Sequence, residues 1–123
     1  MILIIDDDKY VLRGFQILLQ SAGLESRIFG SVEEFLESWV RNRNDILILD
    51  IHMTGFNGCD LLKYLEEIKL HLSVIVVTAY DESESRKYAE SYGALAYLTK
   101  PIDGEVLIDL LTNKKSKHAH LAD

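Results

Sequence analysis

The fold is decided by residues 1–8, Met1-Ile2-Leu3-Ile4-Ile5-Asp6-Asp7-Asp8, in which three carboxylates directly follow an unbroken apolar run. An apolar run of this length without polar alternation is typical of a strand that is buried on both faces. Such strands occur in parallel sheets, because helices there cover both sides. Open α/β sheets bind ligands beyond the carboxyl ends of their strands. The stretch therefore predicts a buried parallel strand with an acidic site at its end.

The alternation of apolar runs and amphipathic segments continues along the chain. Further buried strands are predicted at 46–49 and 74–77, a last short strand at 95–98, and a more polar edge strand at 24–29. Apolar residues at helical spacing predict helices after the other strands, and a polar helix is predicted at about 83–92, which gives five helices. Helix caps are expected at Asp8 and at Ser31 with Glu34, and helix ends at Gly23 and Gly93. Five strands alternating with five helices require crossover connections, so the fold class is α/β with a doubly wound, mostly parallel sheet.

The second helix is expected to extend to Val40, with Phe35, Leu36, Trp39 and Val40 on its apolar face. The last helix is expected at 105–111 and is short. Residues 113–123 are basic and then rich in histidine, and they have no apolar periodicity. We expect one domain over residues 1–112 and a polar tail or the start of a linker over 113–123.

Composition excludes several classes of protein. The 123 residues are 48% hydrophobic and 27% charged, which is ordinary for a globular domain and too apolar for a disordered chain. The single cysteine, Cys59, excludes an internal disulfide, and no signal peptide or membrane span is found, so we expect a cytoplasmic protein without membrane association. A formal net charge of -7 argues against direct nucleic-acid binding by this domain.

Chemically active side chains follow each buried strand, namely Asp6 and Asp7, Asp50, Thr78 and Lys100. If the strand order is 2-1-3-4-5, the first and third strands are neighbours, and their three aspartates converge in one pocket. Carboxylates so close repel each other and need a cation to remain ionised together. Oxygen ligands with room for waters favour Mg²⁺. Asp8 is interpreted as a helix cap instead.

A carboxylate beside a divalent cation can act as a nucleophile toward phosphorus, which makes Asp50 a candidate for an aspartyl phosphate. Lys100 is expected to face the new phosphoryl oxygens, and Thr78 to donate a hydrogen bond to one of them. Pro101, the only proline, follows Lys100 and predicts a fixed turn that directs the lysine inward.

At this point the chain strongly resembles the response-regulator receiver domains of two-component signalling, from Met1 to about Leu111. The resemblance rests on motifs that each follow a predicted strand: Asp6-Asp7-Asp8, Asp50-Ile51-His52-Met53, Thr78-Ala79 and Tyr97-Leu98-Thr99-Lys100-Pro101. It implies a flavodoxin-like sheet in the order 2-1-3-4-5. The residues around Thr78, Gly93 and Lys100 are most similar to those of receivers attached to transcription factors.

The resemblance also implies roles for individual residues. Asp50 would accept the phosphoryl group from a sensor histidine kinase or a phosphotransfer protein. Asp7 and Asp50 would ligate Mg²⁺ directly, Asp6 mostly through water, and His52 through its main-chain carbonyl. Beyond catalysing its own phosphorylation and dephosphorylation, the domain is not expected to be an enzyme.

Thr78 and Tyr97 match the switch pair of the family, and Lys100 matches its phosphate-binding lysine. The hypothesis is that Thr78 and Lys100 move toward the phosphoryl group and Tyr97 then rotates inward. The face made by the fourth helix, fifth strand and fifth helix would repack and control an output such as transcription. A homodimer through this face, and DNA binding through an effector domain outside this chain, follow from the same resemblance.

The chain departs from the family pattern in two places. Thr54 stands where many members have proline, which is expected to loosen the loop after Asp50. The short last helix weakens the expectation of the dimer. His52 and Tyr80 flank Asp50 and are expected to govern water access. Comparing dephosphorylation rates of His52→Ala and Tyr80→Ala with the parent decides that hypothesis.

Three other classes of protein remain alternatives. A magnesium-dependent phosphatase usually has a second acid two residues after its nucleophile, where this chain has His52. A flavin- or nucleotide-binding module requires a first loop rich in glycine or hydroxyl residues, whereas the first loop of this chain, which begins at Asp6, is acidic. A receiver-like domain without phosphorylation would lack an acidic or lysine position. The remaining candidates are given ordinary structural roles: Cys59 in packing, His71 on the surface, and His118 and His120 in the tail.

Overall fold

A computed structural model describes residues 1–40, 42, 44–53, 55 and 57–112. Strands and helices alternate throughout. The strands are β1 (Ile2–Ile5), β2 (Ser26–Phe29), β3 (Ile46–Asp50), β4 (Ser73–Thr78) and β5 (Ala96–Thr99). The helices are α1 (Lys9–Ser21), α2 (Val32–Ser38), α3 (Gly58–Glu67), α4 (Ser83–Tyr92) and α5 (Gly104–Thr112).

The strands form one parallel sheet in the order β2-β1-β3-β4-β5, as predicted. β1 and β3 are direct neighbours, with Ile5 paired to Leu49. Because all strands run the same way, their carboxyl ends meet at one edge. That edge carries Asp6, Asp50 and Thr78. The strand order, which the sequence left conditional, thus brings the first and third strand ends together.

Helices cover both faces of the sheet. One face packs against α1 and α5, with Leu12, Phe15 and Leu107 in the core. The other face packs against α2, α3 and α4, with Phe35 and Leu61 fully buried. All residues of β1 and β3 are buried, whereas β2 and β5 at the sheet edges are partly exposed. The continuous apolar runs therefore correspond to the central strands, as the sequence predicted.

Most helix ends lie where the sequence placed them. The Asp8 carboxylate accepts hydrogen bonds from the backbone N–H groups of Tyr10 and Val11 and caps α1, which confirms its assignment. Gly93 ends α4 in the left-handed conformation, with φ of 86°. A capping box between Asn57 and Asp60, which was not predicted from the sequence, begins α3.

The prediction for α2 was partly wrong. The Ser31 hydroxyl accepts from the Glu34 N–H, as expected, but the Glu34 carboxylate accepts from Gly30 rather than from Ser31. The helix ends at Ser38, and Val40 is 82% exposed, so it does not contribute to the apolar face. The helix stops early because the backbone at Trp39 is extended, while the Trp39 ring still stacks on Phe35 with centroids 5.0 Å apart.

Three predictions fall on residues outside the described part of the chain. These are the loosened loop at Thr54, the tail at 113–123, and the roles of His118 and His120 within that tail. Among the described helices none is both long enough and apolar enough to cross a membrane.

Candidate functional site

Three aspartates meet at the carboxyl edge of the sheet. One carboxylate oxygen from each of Asp6, Asp7 and Asp50 lies within 4.8 Å of the others. Asp6 and Asp50 are buried, with 1% and 4% of their surface exposed, whereas Asp7 is exposed. Asp6 and Asp7 follow β1 and Asp50 ends β3, so the direct pairing of these two strands creates the cluster. The predicted acidic pocket is therefore present.

Backbone N–H groups orient the two buried carboxylates. The Asp8 N–H donates to Asp6 Oδ1 at 2.9 Å, and the His52 N–H donates to Asp50 Oδ1 at 3.1 Å. Each bond spans only two residues, so the local chain path fixes the side chain. The second oxygen of each carboxylate faces Lys100.

Lys100 joins the two buried carboxylates. Its Nζ lies 2.8 Å from Asp6 Oδ2 and 3.3 Å from Asp50 Oδ2. The Lys100 N–H donates to the Thr78 carbonyl at 2.7 Å, and the Lys100–Pro101 peptide is cis. The turn directs the lysine into the pocket, as predicted. Its contact with Asp6 was not anticipated, because the two residues are 94 positions apart.

The pocket shifts the protonation of its groups. Burial raises the pKa of Asp50, and the nearby Asp6 charge raises it further, while Lys100 and the His52 N–H act in the opposite direction. Burial by itself lowers the pKa of Lys100. The hydrogen bond to Asp6 and the charges of Asp50 and Asp6 outweigh burial, and the pKa of Lys100 is raised. Lys100 thus stays charged, whereas the fold only partly offsets the cost of a negative charge on Asp50.

The donor set fits a hard divalent cation. Three carboxylate oxygens within 4.8 Å of one another could supply part of the octahedral oxygen shell of Mg²⁺, with waters completing it. The exposed side of Asp7 leaves room for waters, which Mg²⁺ retains. Burial and the Asp6 charge raise the pKa of Asp50, so a cation bound beside it would favour its ionised form. Zn²⁺ is a poorer match, because it prefers nitrogen and sulfur ligands.

The loop after Asp50 passes very close to the start of α3. A Cβ atom on Gly58 would lie 2.6 Å from the Ile51 Cα and 2.7 Å from the Asp50 carbonyl oxygen. Both neighbours are backbone atoms, which cannot move aside as a flexible side chain can. Glycine is therefore required at position 58 for the backbone of α3 to pack against the residues beside Asp50.

Thr78 and Tyr97 lie on adjacent strands. Thr78 is fully buried, and its hydroxyl donates to the Tyr80 carbonyl at 2.9 Å and accepts from the Tyr80 N–H at 3.1 Å. Tyr97 is half-buried and packs against the core on the α3 and α4 side. Its hydroxyl is already buried, so the outward position from which Tyr97 was expected to rotate is not the one in this structure.

The loop after Asp50 contacts α4, which no pattern in the sequence predicted. His52 Nε2 lies 3.2 Å from the Ser85 hydroxyl and 3.5 Å from a Glu82 carboxylate oxygen. Ser85 is buried although it is polar and lies in a polar helix. The His52 and Tyr80 rings meet edge to face at 6.2 Å, close to Asp50. Only this burial of Ser85 signals the contact, since 33 residues separate it from His52.

The other candidate residues have structural surroundings. Cys59 is partly buried against the core, and burial raises the pKa of its thiol, in keeping with a packing role. His71 is exposed and stacks on Tyr92 with ring centroids 5.5 Å apart.

Comparisons with known proteins agree with this geometry. A family model described as the response regulator receiver domain matches residues 2–112. The transcriptional regulatory protein FixJ of Azorhizobium caulinodans is 33% identical over 105 residues, which make up 85% of this chain and 50% of FixJ. The DNA-binding transcriptional regulator NtrC of Klebsiella pneumoniae is 33% identical over 108 residues, or 88% of this chain and 23% of NtrC.

A solved structure extends the comparison to the fold. The crystal structure of a CheY-like response regulator receiver domain protein from Methanospirillum hungatei JF-1 has a TM-score of 0.80 at 26% identity. The match covers 97% of this chain and 96% of that one. By contrast, the chain spans half or less of the length of the two curated relatives.

Proposed function

This chain belongs to the response regulator receiver family, a family of signalling rather than catalytic domains, and we propose that it is switched by magnesium-dependent phosphorylation of Asp50. The observation that carries the proposal is the pocket at the sheet edge. The oxygens of Asp6, Asp7 and Asp50 lie within 4.8 Å of one another there, and Lys100 Nζ is 3.3 Å from Asp50. A carboxylate nucleophile, a cluster of acidic oxygens suited to a cation and a fixed positive charge thus share one site.

The transfer step assigns a task to each residue. One oxygen of Asp50 forms a bond to phosphorus while the bond from phosphorus to the donor's histidine nitrogen breaks, and that nitrogen keeps the electron pair. The His52 N–H holds the other Asp50 oxygen and so fixes which one faces the donor. Lys100 stays bound to Asp6 and presents its positive charge to the phosphoryl oxygens.

Asp6, Asp7, Asp50 and the main-chain carbonyl of His52 are the proposed ligands of Mg²⁺. The bound ion would neutralise negative charge on the transferring oxygens. The two buried carboxylates face Lys100 with their second oxygens, so the lysine and a cation would share the same pair of acids. Asp7 is exposed, which allows the cation to enter from solvent.

The proposed output passes through Thr78 and Tyr97. The Thr78 hydroxyl would leave the Tyr80 backbone for a phosphoryl oxygen, which frees the loop between β4 and α4. Tyr97 packs under α4, so a shift of this loop would alter the face made by α4, β5 and α5. Such a switch requires only two conformations whose free energies differ by about a few kcal/mol.

The partners are proposed from the family. A sensor histidine kinase or a phosphotransfer protein would donate the phosphoryl group. FixJ and NtrC are transcriptional regulators longer than this chain, so residues 1–112 are proposed as the receiver and 113–123 as the start of a linker to a DNA-binding effector. A homodimer through the α4-β5-α5 face is proposed as the active form.

Intact-protein mass spectrometry tests the phosphorylation site. After incubation with acetyl phosphate and Mg²⁺, we expect the parent to gain one phosphoryl group and Asp50→Asn to gain none. Glu37→Gln, which changes an exposed carboxylate on α2, serves as the matched control and should be phosphorylated like the parent. A phosphoryl group that persists in Asp50→Asn would refute the assignment.

The same sample distinguishes the proposal from the rival magnesium-dependent phosphatase. A receiver should accept one phosphoryl group and release it slowly, without sustained turnover of small phosphate esters. The phosphatase alternative requires a steady multi-turnover rate, which release of inorganic phosphate measures directly.

A further inference from the structure

Arg86, on the first turns of α4, contacts the aromatic face of Tyr97. Its guanidinium carbon lies 4.5 Å from the centroid of the Tyr97 ring, within the range of a cation–π interaction. The Arg86 Nη2 atom also lies 3.0 Å from both carboxylate oxygens of Asp81. Asp81 precedes α4 and Arg86 lies within it, so the ion pair fixes the guanidinium against one side of the helix start. The ring is thus covered by a side chain whose own position is constrained.

The buried hydroxyl of Tyr97 disfavours the inward position of the ring, so other contacts must hold the ring there. This hydroxyl is buried, and among the residues that the structure describes no group forms a hydrogen bond with it. A buried hydroxyl without a partner loses free energy relative to one in water. An outward rotation of the ring would return the hydroxyl to solvent. The inward position must therefore be stabilised by contacts of the ring itself, namely its packing on the core and the guanidinium of Arg86.

We propose that Arg86 is a positioning residue that holds Tyr97 in its inward position and thereby biases the domain toward its phosphorylated arrangement. The second half of this inference rests on the proposed function, in which Thr78 and Tyr97 respond to the phosphoryl group. The first half depends only on the contacts of Arg86.

The neighbour of Arg86 connects the same helix turn to the phosphorylation site. Ser85 meets His52, whose N–H binds Asp50, while Arg86 meets Tyr97. Two consecutive residues of α4 therefore contact the loop of the acceptor aspartate and the switch tyrosine. A displacement of this turn would act on both at once, which gives a physical link between the site and the output face.

Fluorine NMR tests the position of Tyr97 without any phosphoryl donor or Mg²⁺. The full chain is labelled with 3-fluorotyrosine, and the Tyr97 resonance is identified among the six tyrosines by its loss in Tyr97→Phe. In Arg86→Met, which keeps the aliphatic stem and removes the charge, we expect the ratio of inward to outward Tyr97 to fall roughly two- to fivefold. Arg86→Lys, which keeps a positive charge, should restore part of it.

Lys87→Met is the matched control, because it removes the charge of the adjacent exposed residue. The fluorine chemical shift of Tyr97 in Lys87→Met should equal that in the parent. A Tyr97 resonance in Arg86→Met that coincides with that of the parent would overturn the proposal.

Binding of beryllium fluoride with Mg²⁺, a mimic of a phosphoryl group on a carboxylate, tests the bias. The affinity of Arg86→Met should fall in proportion to the inward fraction lost in the NMR measurement. A loss of the inward fraction without that fall would overturn the regulatory role. If the parent itself fails to bind, the proposed function is wrong, and the NMR comparison still decides whether Arg86 positions Tyr97.

Discussion

At the scale of the residue, Asp50 occupies a position that suits its proposed role but lowers the stability of the folded state. It is buried beside a second buried carboxylate, Asp6, and shares one ammonium group with it. Burial and the Asp6 charge raise its pKa above the ordinary value of 3.8. A raised carboxyl pKa means that the folded protein binds the proton more tightly than the unfolded chain does. The ionised form therefore opposes folding.

The raised pKa of Asp50 predicts how the stability of the domain depends on pH. As pH rises above the ordinary carboxyl range, the folded state gives up the Asp50 proton reluctantly, and the contribution of Asp50 to stability falls until the group is fully ionised. Asp50→Asn removes the charge at constant shape, so at pH 7 without divalent cations we expect a higher melting temperature than that of the parent. At a pH low enough to protonate Asp50 in the parent, the difference should shrink.

Thermal unfolding by circular dichroism at several pH values measures this difference. The matched control is Glu37→Gln, which changes an exposed carboxylate on α2 and should alter the melting temperature little. A lower melting temperature for Asp50→Asn at neutral pH would show that Lys100 more than compensates the buried charge.

At the scale of the element, the close approach of α3 to the loop after β3 shapes the site. Position 58 has no room for a side chain, because a Cβ there would meet the Ile51 Cα at 2.6 Å. We expect Gly58→Ala to lower the free energy of unfolding by about 1–3 kcal/mol, the usual cost of overpacking. It should also weaken magnesium binding, because the displaced backbone carries Asp50 and His52.

Gly14 provides the control within the same chain. It lies inside α1, and a Cβ there would meet nothing within 4 Å. Gly14→Ala should raise the free energy of unfolding by about 0.5–1 kcal/mol, since alanine is the better helix former. Urea denaturation measures both variants. Equal effects of the two substitutions would contradict the steric argument.

Tyr92 anchors the connection between α3 and β4. Its hydroxyl accepts from the Leu72 N–H at 2.7 Å and donates to the Leu70 carbonyl at 3.2 Å. Burial raises the pKa of this phenol, so it stays protonated and able to donate. Tyr92→Phe would leave buried backbone groups unpaired, and we expect a loss of about 1–3 kcal/mol in urea denaturation. Tyr10→Phe, at a residue that is 78% exposed, should have almost no effect.

At the scale of the whole molecule, the parallel sheet in the order β2-β1-β3-β4-β5 concentrates negative charge at one edge. The net charge of -7 adds a general field that favours cations. A cation bound in the acidic pocket stabilises the folded state by mass action, because the unfolded chain has no such pocket. Magnesium should therefore link the chemistry of the site to the stability of the domain.

We expect Mg²⁺ to raise the melting temperature saturably, with about 1.4 kcal/mol gained at a concentration tenfold above the dissociation constant. Titration followed by tryptophan fluorescence or by thermal unfolding measures the effect. Sodium chloride at matched ionic strength controls for screening, and Asp7→Asn should shift the midpoint to higher Mg²⁺. Tens of millimolar Mg²⁺ lies far above the dissociation constant of an ordinary specific site. An unchanged melting temperature at that concentration would contradict magnesium binding in the acidic pocket.

The sequence by itself determined the alternation of buried strands and helices, the central position of β1 and β3, and the family. Unbroken apolar runs such as 2–5 and 46–49 are stable only between two layers of helices, which leaves few possible architectures. The acidic and basic residues at the strand ends were likewise visible, because the carboxyl ends of parallel strands share one edge. Local capping by Asp8 was equally predictable, since it depends on neighbouring residues alone.

Only the tertiary structure decided which groups touch across that edge. The contact of Lys100 with Asp6, that of His52 with Ser85 and that of Arg86 with Tyr97 join different elements. None of these pairs has a periodic signal, because side-chain contacts between elements depend on the register of strands and the rotation of helices. The same is true of Val40, whose apolar character predicted burial that the early end of α2 prevents. Sequence periodicity fixes which face of an element is buried, whereas packing fixes the partner.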